Sequence, residues 1–202
     1  MAHSVKALGS LLLFGLIVCS APALAQSDRT PIAATAPIFE VSAGYAYVNL
    51  NMPSQSRVSL NGADGNIVVN VTERWGGILD SSYSRTGNVL STGHGGSVLN
   101  FMGGPVFYLA TRGNARIFTH ALVGASRVDS AVPTSGTTIL GGQVTRVSFA
   151  VGAGVEYDLS RAFGVRGSAD YLRTTFVDAA GNFEPQNNLR AVVGLVFKLG
   201  NR

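Results

Sequence analysis

The sequence predicts an all-β chain: an eight-stranded antiparallel up-and-down transmembrane β-barrel, after a cleaved N-terminal signal peptide. Three observations predict it. Apolar and polar residues alternate in eight segments, each about as long as a tilted membrane strand of ~9–11 residues. Charged residues are only 13% of 202 and Gly numbers 25, far from the roughly one-quarter charged of an ordinary soluble domain. Short turns alternate along the chain with longer polar connections.

The N-terminus comes first in this order. Lys6 and His3 precede the apolar run "LLLFGLIV", and Ala23 and Ala25 supply the small residues of an A-x-A cleavage site. Residues 1–25 are therefore expected to be a signal peptide. The run is too short for a membrane helix, which needs about 20 residues. Lipidation at Cys19 is the other reading. Val18 is bulkier than the small residue expected before a lipidated Cys, and the "ALA" site beyond it fits better. Cys19 is the only cysteine and leaves with the signal, so the mature chain has neither disulfide nor thiolate chemistry. Residues 26–37 lack periodicity, carry two prolines and read as a flexible periplasmic lead. Residues 38–202 are expected to form the barrel.

The first strand is "IFEVSAGYAYVNL", with Phe39, Val41, Ala43, Tyr45 and Tyr47 on one face and Glu40, Ser42, Gly44 and Ala46 on the other. The second runs from about Ser59 to Val71, with Ile67 and Val69 opposite Asp64, Asn66 and Asn70. The third, Trp75 to Ser84, sets Leu79 and Tyr83 against Asp80 and Ser82. In the fourth, "VLNFMGGPVFYL", Leu99, Phe101, Phe107 and Leu109 share a side. Pro105 lacks a ladder donor there, so a local bulge or a shift of phase is expected. The fifth, "RIFTHALVGASR", is ambiguous in phase. The sixth, "SFAVGAGVEYD", alternates most cleanly and puts Glu156 and Asp158 on the polar face. The seventh, "FGVRGSADYLRTTF", opposes Val165, Ala169 and Tyr171 to Arg166, Ser168 and Asp170. The eighth, Leu189 to Leu199, carries Val193, Leu195, Phe197 and Leu199 on one face.

The connections "TERW", "TRGN" and "LSRA" are tight, and longer ones are expected near 51–58, 85–97, 128–145 and 177–187. An even strand count then leaves both termini on the short-turn, periplasmic side. Loop 128–145 is rich in Thr and Gly and is the expected contact surface.

A soluble barrel or sandwich would put apolar residues inside and charged ones outside. Here the polar face holds Gly, Ser, Asn and scattered charges, which suits a narrow lumen. Tyr45, Tyr47, Trp75, Tyr83, Phe107, Tyr157, Phe163 and Tyr171 lie near strand ends on the apolar face, as headgroup-level belts require. About eight strands enclose a space that side chains can fill. Glu40, Asp64, Asp80, Glu156, Arg166, Asp170, Arg190 and Lys198 are expected to meet there as paired charges, because charges away from bulk water must be paired.

These segments resemble a known family. "FEVSAGYAYVNL", "FMGGPVFYL…FTHALVGASR", "FAVGAGVEYDLSRAFGVRGSADYLRTTF" and "QNNLRAVVGLVFKLG" are similar to the bacterial outer-membrane β-barrel domain proteins, the small eight-stranded, porin-like barrels. The resemblance covers roughly residues 38–199. Two departures are Val106, where a basic residue is more usual after Gly-Gly-Pro, and the three residues that follow Leu199. Membership implies the outer membrane as location, and as partners outer-membrane lipids, lipopolysaccharide and the β-barrel insertion machinery. Gly194, Phe197 and Leu199 resemble the assembly signal of such barrels. A monomer is expected, with no nucleic-acid partner.

Some small barrels are enzymes, so catalysis needs a test. After processing only His94 and His120 could act as imidazole bases, and His120 lacks the closely spaced serine of the lipid A deacylases. No spacing suits a metal or a phosphate-binding loop. Catalytic residues, metal and cofactor are all expected to be none. The expected function is that of an integral outer-membrane protein with a structural, envelope-anchoring or surface-interaction role and a lumen plugged by side chains. The alternative is a narrow channel or a binder of a small hydrophobic ligand.

Overall fold

The computed structural model describes residues 37–51, 57–89, 93–133, 139–177 and 183–201. The expected signal peptide and nearly all of the lead lie outside the described residues. Eight strands follow one another: β1 Pro37–Asn51, β2 Arg57–Asn70, β3 Trp75–Thr86, β4 Gly96–Arg112, β5 Ala115–Pro133, β6 Ile139–Asp158, β7 Phe163–Val177 and β8 Phe183–Asn201. Each pairs antiparallel with the next, and β8 returns to β1, so the sheet closes. Closure leaves every membrane-crossing strand with two partners, which a bilayer demands of backbone polar groups.

Alternation decides which way each residue points. Phe39, Val41 and Tyr45 of β1 are exposed on the outer wall while Glu40, Ser42 and Ala46 are buried inside. The same period of two runs round the barrel. The phase of β5 is settled by its register: Arg116 pairs with Glu156 and Phe118 with Gly154, so even-numbered residues face the lumen. Its pattern was ambiguous because both faces are apolar, Phe118 and Leu122 inside against Ile117 and Val123 outside.

Two expectations about backbone need correction. The register shift of β4 against β5 lies between Tyr108 and Ala110, at Leu109, not at Pro105. Pro105 points to the outer wall opposite Gly77 of β3, and the register with β5 is the same at Gly103–Val123 and Val106–His120 on either side of it. Second, most of 128–145 and part of 177–187 are strand, not loop. β5 and β6 stay paired out to Pro133 and Ile139, whereas β6 pairs with β7 only from Phe149 onward. Likewise β7 and β8 pair to Val177 and Phe183, while β8 meets β1 only from Leu189. The two hairpins thus continue as two-stranded ribbons beyond the closed barrel. A backbone ladder does not depend on side-chain polarity, so a ribbon in water has the composition of a loop.

The tight turns use short polar side chains to stand in for backbone. Thr72 Oγ1 accepts from the Trp75 N–H at 2.9 Å, and Ser160 Oγ from the Phe163 N–H at 3.1 Å. They mark one end of the barrel, the turn end, which also holds the start of β1 and the end of β8. The opposite end is the loop end.

Candidate functional site

The structure divides the eight sequence-predicted lumen charges into two clusters at different heights. Nearest the turn end, Glu40 and Glu156 face Arg116, Arg166 and Lys198. Arg116 Nη2 lies 2.6 Å from Glu40 Oε1 and also bridges to Glu156. Arg166 Nη2 lies 2.5 Å from Glu156 Oε2 and also pairs with Glu40. Lys198 Nζ reaches Glu156 Oε1 at 2.8 Å and pairs with Asp158. Neutral donors complete Glu40: Asn70 Nδ2 at 3.0 Å and the Tyr108 hydroxyl at 3.2 Å. Three cations meet three carboxylates here, so formal charge cancels. Both guanidinium groups also lie over aromatic rings, Arg116 over Tyr108 at 4.8 Å and Arg166 over Phe118 at 5.0 Å.

The second cluster sits further along the axis around Arg190. Its Nη1 donates to Asp80 Oδ1 at 2.6 Å and its Nε to Asp170 Oδ2 at 2.7 Å, with Asp64 Oδ2 3.5 Å away. His120 Nε2 lies 2.8 Å from the other oxygen of Asp170. Asn66 ties the clusters together, accepting from Arg166 Nη1 at 3.1 Å and donating to Asp64 Oδ1 at 3.4 Å. The cavity beside this cluster is about 20 Å³, lined by Asp64, Asp80, Phe118, His120 and Arg190 among others, room for about one water molecule.

Sequence reasoning missed Arg116, Asp158 and His120 as members of these clusters. Asp158 was legible from the polar face of β6. Arg116 and His120 follow once β5 has its phase, because both are even-numbered residues of that strand. The sequence put Gly, Ser, Asn and scattered charges on the inward face. Toward the loop end many inward positions are apolar: Val48, Leu60, Val98, Leu122, Ala150 and Leu172 are buried together, with Ser84, Thr174 and Asn188 buried at the same end. A small polar seam crosses them, where Ser126 Oγ lies 2.5 Å from Asn100 Oδ1 and 2.6 Å from Ser148 Oγ.

The outer wall is the reverse of a soluble surface. Leu79 is 55% exposed and Phe101 62%, and Ile67, Val151, Val193 and Leu195 stand beside them equally open. So continuous an apolar band needs a non-aqueous neighbour. Aromatics border it. Toward the turn end Trp75 packs on Phe107 at 4.5 Å and Phe163 on Phe197 at 4.9 Å. Toward the loop end Tyr47 and Tyr171 turn their hydroxyls to Ser59 at 2.8 Å and Asn187 at 2.6 Å. No helix among the described residues is long and apolar enough to cross a membrane, so crossing falls to the strands.

The predicted assembly residues lie at the seam. Leu199 pairs with Phe39 and Phe197 with Val41, both pointing outward. Gly194 faces Gly44 so closely that a Cβ on it would meet the Ala43 carbonyl oxygen at 2.5 Å.

Comparison with known proteins follows this geometry. A family model, the outer membrane protein beta-barrel domain, matches residues 11–197. Among solved structures, Neisserial surface protein A is similar with a TM-score of 0.64 at 12% identity, over 80% of this chain and 97% of that one. The outer membrane protein OprG of Pseudomonas aeruginosa gives 0.60 at 11% identity, over 82% and 97%. Ail, the attachment invasion locus protein of Yersinia pestis, gives 0.56 at 17% identity, over 80% and 97%. No curated protein sequence matches. Identities this low carry the fold alone, while the family match spans most of the chain. The chain belongs to the outer membrane protein β-barrel domain family, and its place is the bacterial outer membrane.

Proposed function

We propose that this protein is a plugged barrel with a structural, envelope-anchoring or surface-interaction role, acting as a monomer and neither as a catalyst nor as an open pore. The observation that supports this reading is the set of side chains turned into the lumen. Two charge clusters and an apolar layer follow one another along the axis, and the cavity between them holds about 20 Å³. A small-molecule pocket is typically about 300–1,000 Å³, and hydrated ions need a continuous wet path. The pairing of His120 with Asp170 supports a structural place for that imidazole. His94 sits on the β3–β4 connection, its carbonyl taking the Val89 N–H at 2.8 Å.

Lipid and lipopolysaccharide are the partners of the wall, and the β5–β6 and β7–β8 ribbons offer the surface for other partners. Gly194, Phe197 and Leu199 form the segment that the insertion machinery reads before β8 closes on β1. Phe197→Asp is expected to abolish assembly, seen as loss of the heat-modifiable band from the outer-membrane fraction; normal insertion would count against this role.

Conductance of the purified protein in planar bilayers tests the main reading. The expected trace is silent. Repeated ion-sized openings would favour the narrow-channel alternative.

A further inference from the structure

Each of the three tight turns carries one exposed arginine: Arg74 between β2 and β3, Arg112 at the end of β4, and Arg161 between β6 and β7. Glu73, also exposed, is the acidic residue of these turns. Among the described residues no ion pair includes these three arginines, whereas Arg116, Arg166 and Arg190 in the lumen are all paired.

The turns are fixed by one repeated device. Each lends a carbonyl oxygen to a strand beyond its own hairpin. Arg74 accepts from the Tyr108 N–H of β4 at 2.9 Å, Asn114 from the Asp158 N–H of β6 at 2.8 Å, and Ala162 from the Lys198 N–H of β8 at 2.9 Å. Inside the first and third turns, Thr72 Oγ1 accepts from the Arg74 N–H and Ser160 Oγ from the Ala162 N–H, both at 3.2 Å. Neighbouring turns are two strand spacings apart, about 10 Å. The rim thus presents three guanidinium forks along an arc of about 20 Å, with little backbone freedom to lose on binding.

In an outer-membrane barrel the short-turn end faces the periplasm. A guanidinium meets a carboxylate through two parallel hydrogen bonds. Glu73, beside Arg74, suits an ammonium group and opposes a phosphate. The set fits an extended partner with repeated carboxylates and an occasional amine. That is the chemistry of cell-wall peptide stems, and a single lipid phosphate matches it less well.

We infer that the turn end is a docking surface for the peptide stems of the cell wall. Arg74, Arg112 and Arg161 take stem carboxylates, and Glu73 takes a stem amine. The inference rests on the envelope-anchoring reading above and names the polymer met at the periplasmic end.

The test co-sediments the folded full chain, in phosphatidylcholine nanodiscs, with purified cell-wall sacculi. The native chain is expected to sediment with them. The Arg74→Ala/Arg112→Ala/Arg161→Ala variant is expected to bind about tenfold more weakly, the sum of three modest exposed ion pairs. Amidating the free carboxylates of the sacculi is expected to weaken the native chain as much. Arg85→Ala/Arg127→Ala, exposed toward the loop end, is expected to change nothing. No sedimentation of the native chain, or undiminished binding by the triple variant or to amidated sacculi, would overturn the inference. So would phosphatidylglycerol held through the three turn arginines, read by native mass spectrometry, with no binding to sacculi. If the triple variant stays heat-modifiable and the native chain is silent in planar bilayers, such a result removes the docking surface and leaves the plugged-barrel reading standing.

Discussion

The two halves of the barrel interior solve one problem by different chemistry. The turn-end half holds charges, and the loop-end half holds Val48, Leu60, Leu122 and Leu172 packed as an ordinary core. In the charged half each group depends on several others: Glu40 alone is met by Arg116, Arg166, Asn70 and Tyr108. In the loop-end half the apolar contacts are not directional, and for them what matters is filled volume, with a few hydroxyl and amide hydrogen bonds among them. The comparison teaches that a narrow lumen need not be polar.

The difference predicts how each half breaks. The largest effect is expected from Arg166→Ala, which leaves Glu40 and Glu156 short of a shared partner. Removing one member of a buried ion pair costs about 3–5 kcal/mol, read as a shift in urea unfolding of protein folded into lipid vesicles. Arg166→Lys restores the charge without the planar fork and is expected to recover only part of the loss. Leu172→Ala comes next. Leu172 is fully buried, and a Leu-to-Ala cavity costs about 2–5 kcal/mol. If its cost exceeded that of Arg166→Ala, the apolar half would be the principal support. The smallest effect belongs to the polar seam. Ser126→Ala removes the hydroxyl between Asn100 and Ser148 and should cost about 1 kcal/mol. A loss beyond that of Leu172→Ala would show that the seam is more than a local hydrogen bond.

Much of this was legible in the sequence. The period of two, the tight turns and the scarcity of charge name a membrane barrel, and all eight predicted lumen charges lie inside. Four features were not legible. Alternation says which residues share a face but not at what height they stand, so one network was expected where Asn66 joins two clusters. Strand β5 has apolar residues on both faces, which hid its phase and with it Arg116 and His120. The apolar loop-end lumen was hidden for the same reason: Val48, Leu60 and Leu122 read from sequence like lipid-facing residues, and only register turns them inward. The ribbons beyond the barrel escaped because strands in water need no apolar face.

The central claim is that the turn-end charges act as one mutually dependent layer. A double-mutant cycle between Glu40→Ala and Arg166→Ala, measured by urea unfolding in lipid vesicles, tests it most directly. The two changes are expected to be strongly non-additive, with a coupling energy of about 1–3 kcal/mol. Losses that simply add, within about 0.5 kcal/mol, would contradict it.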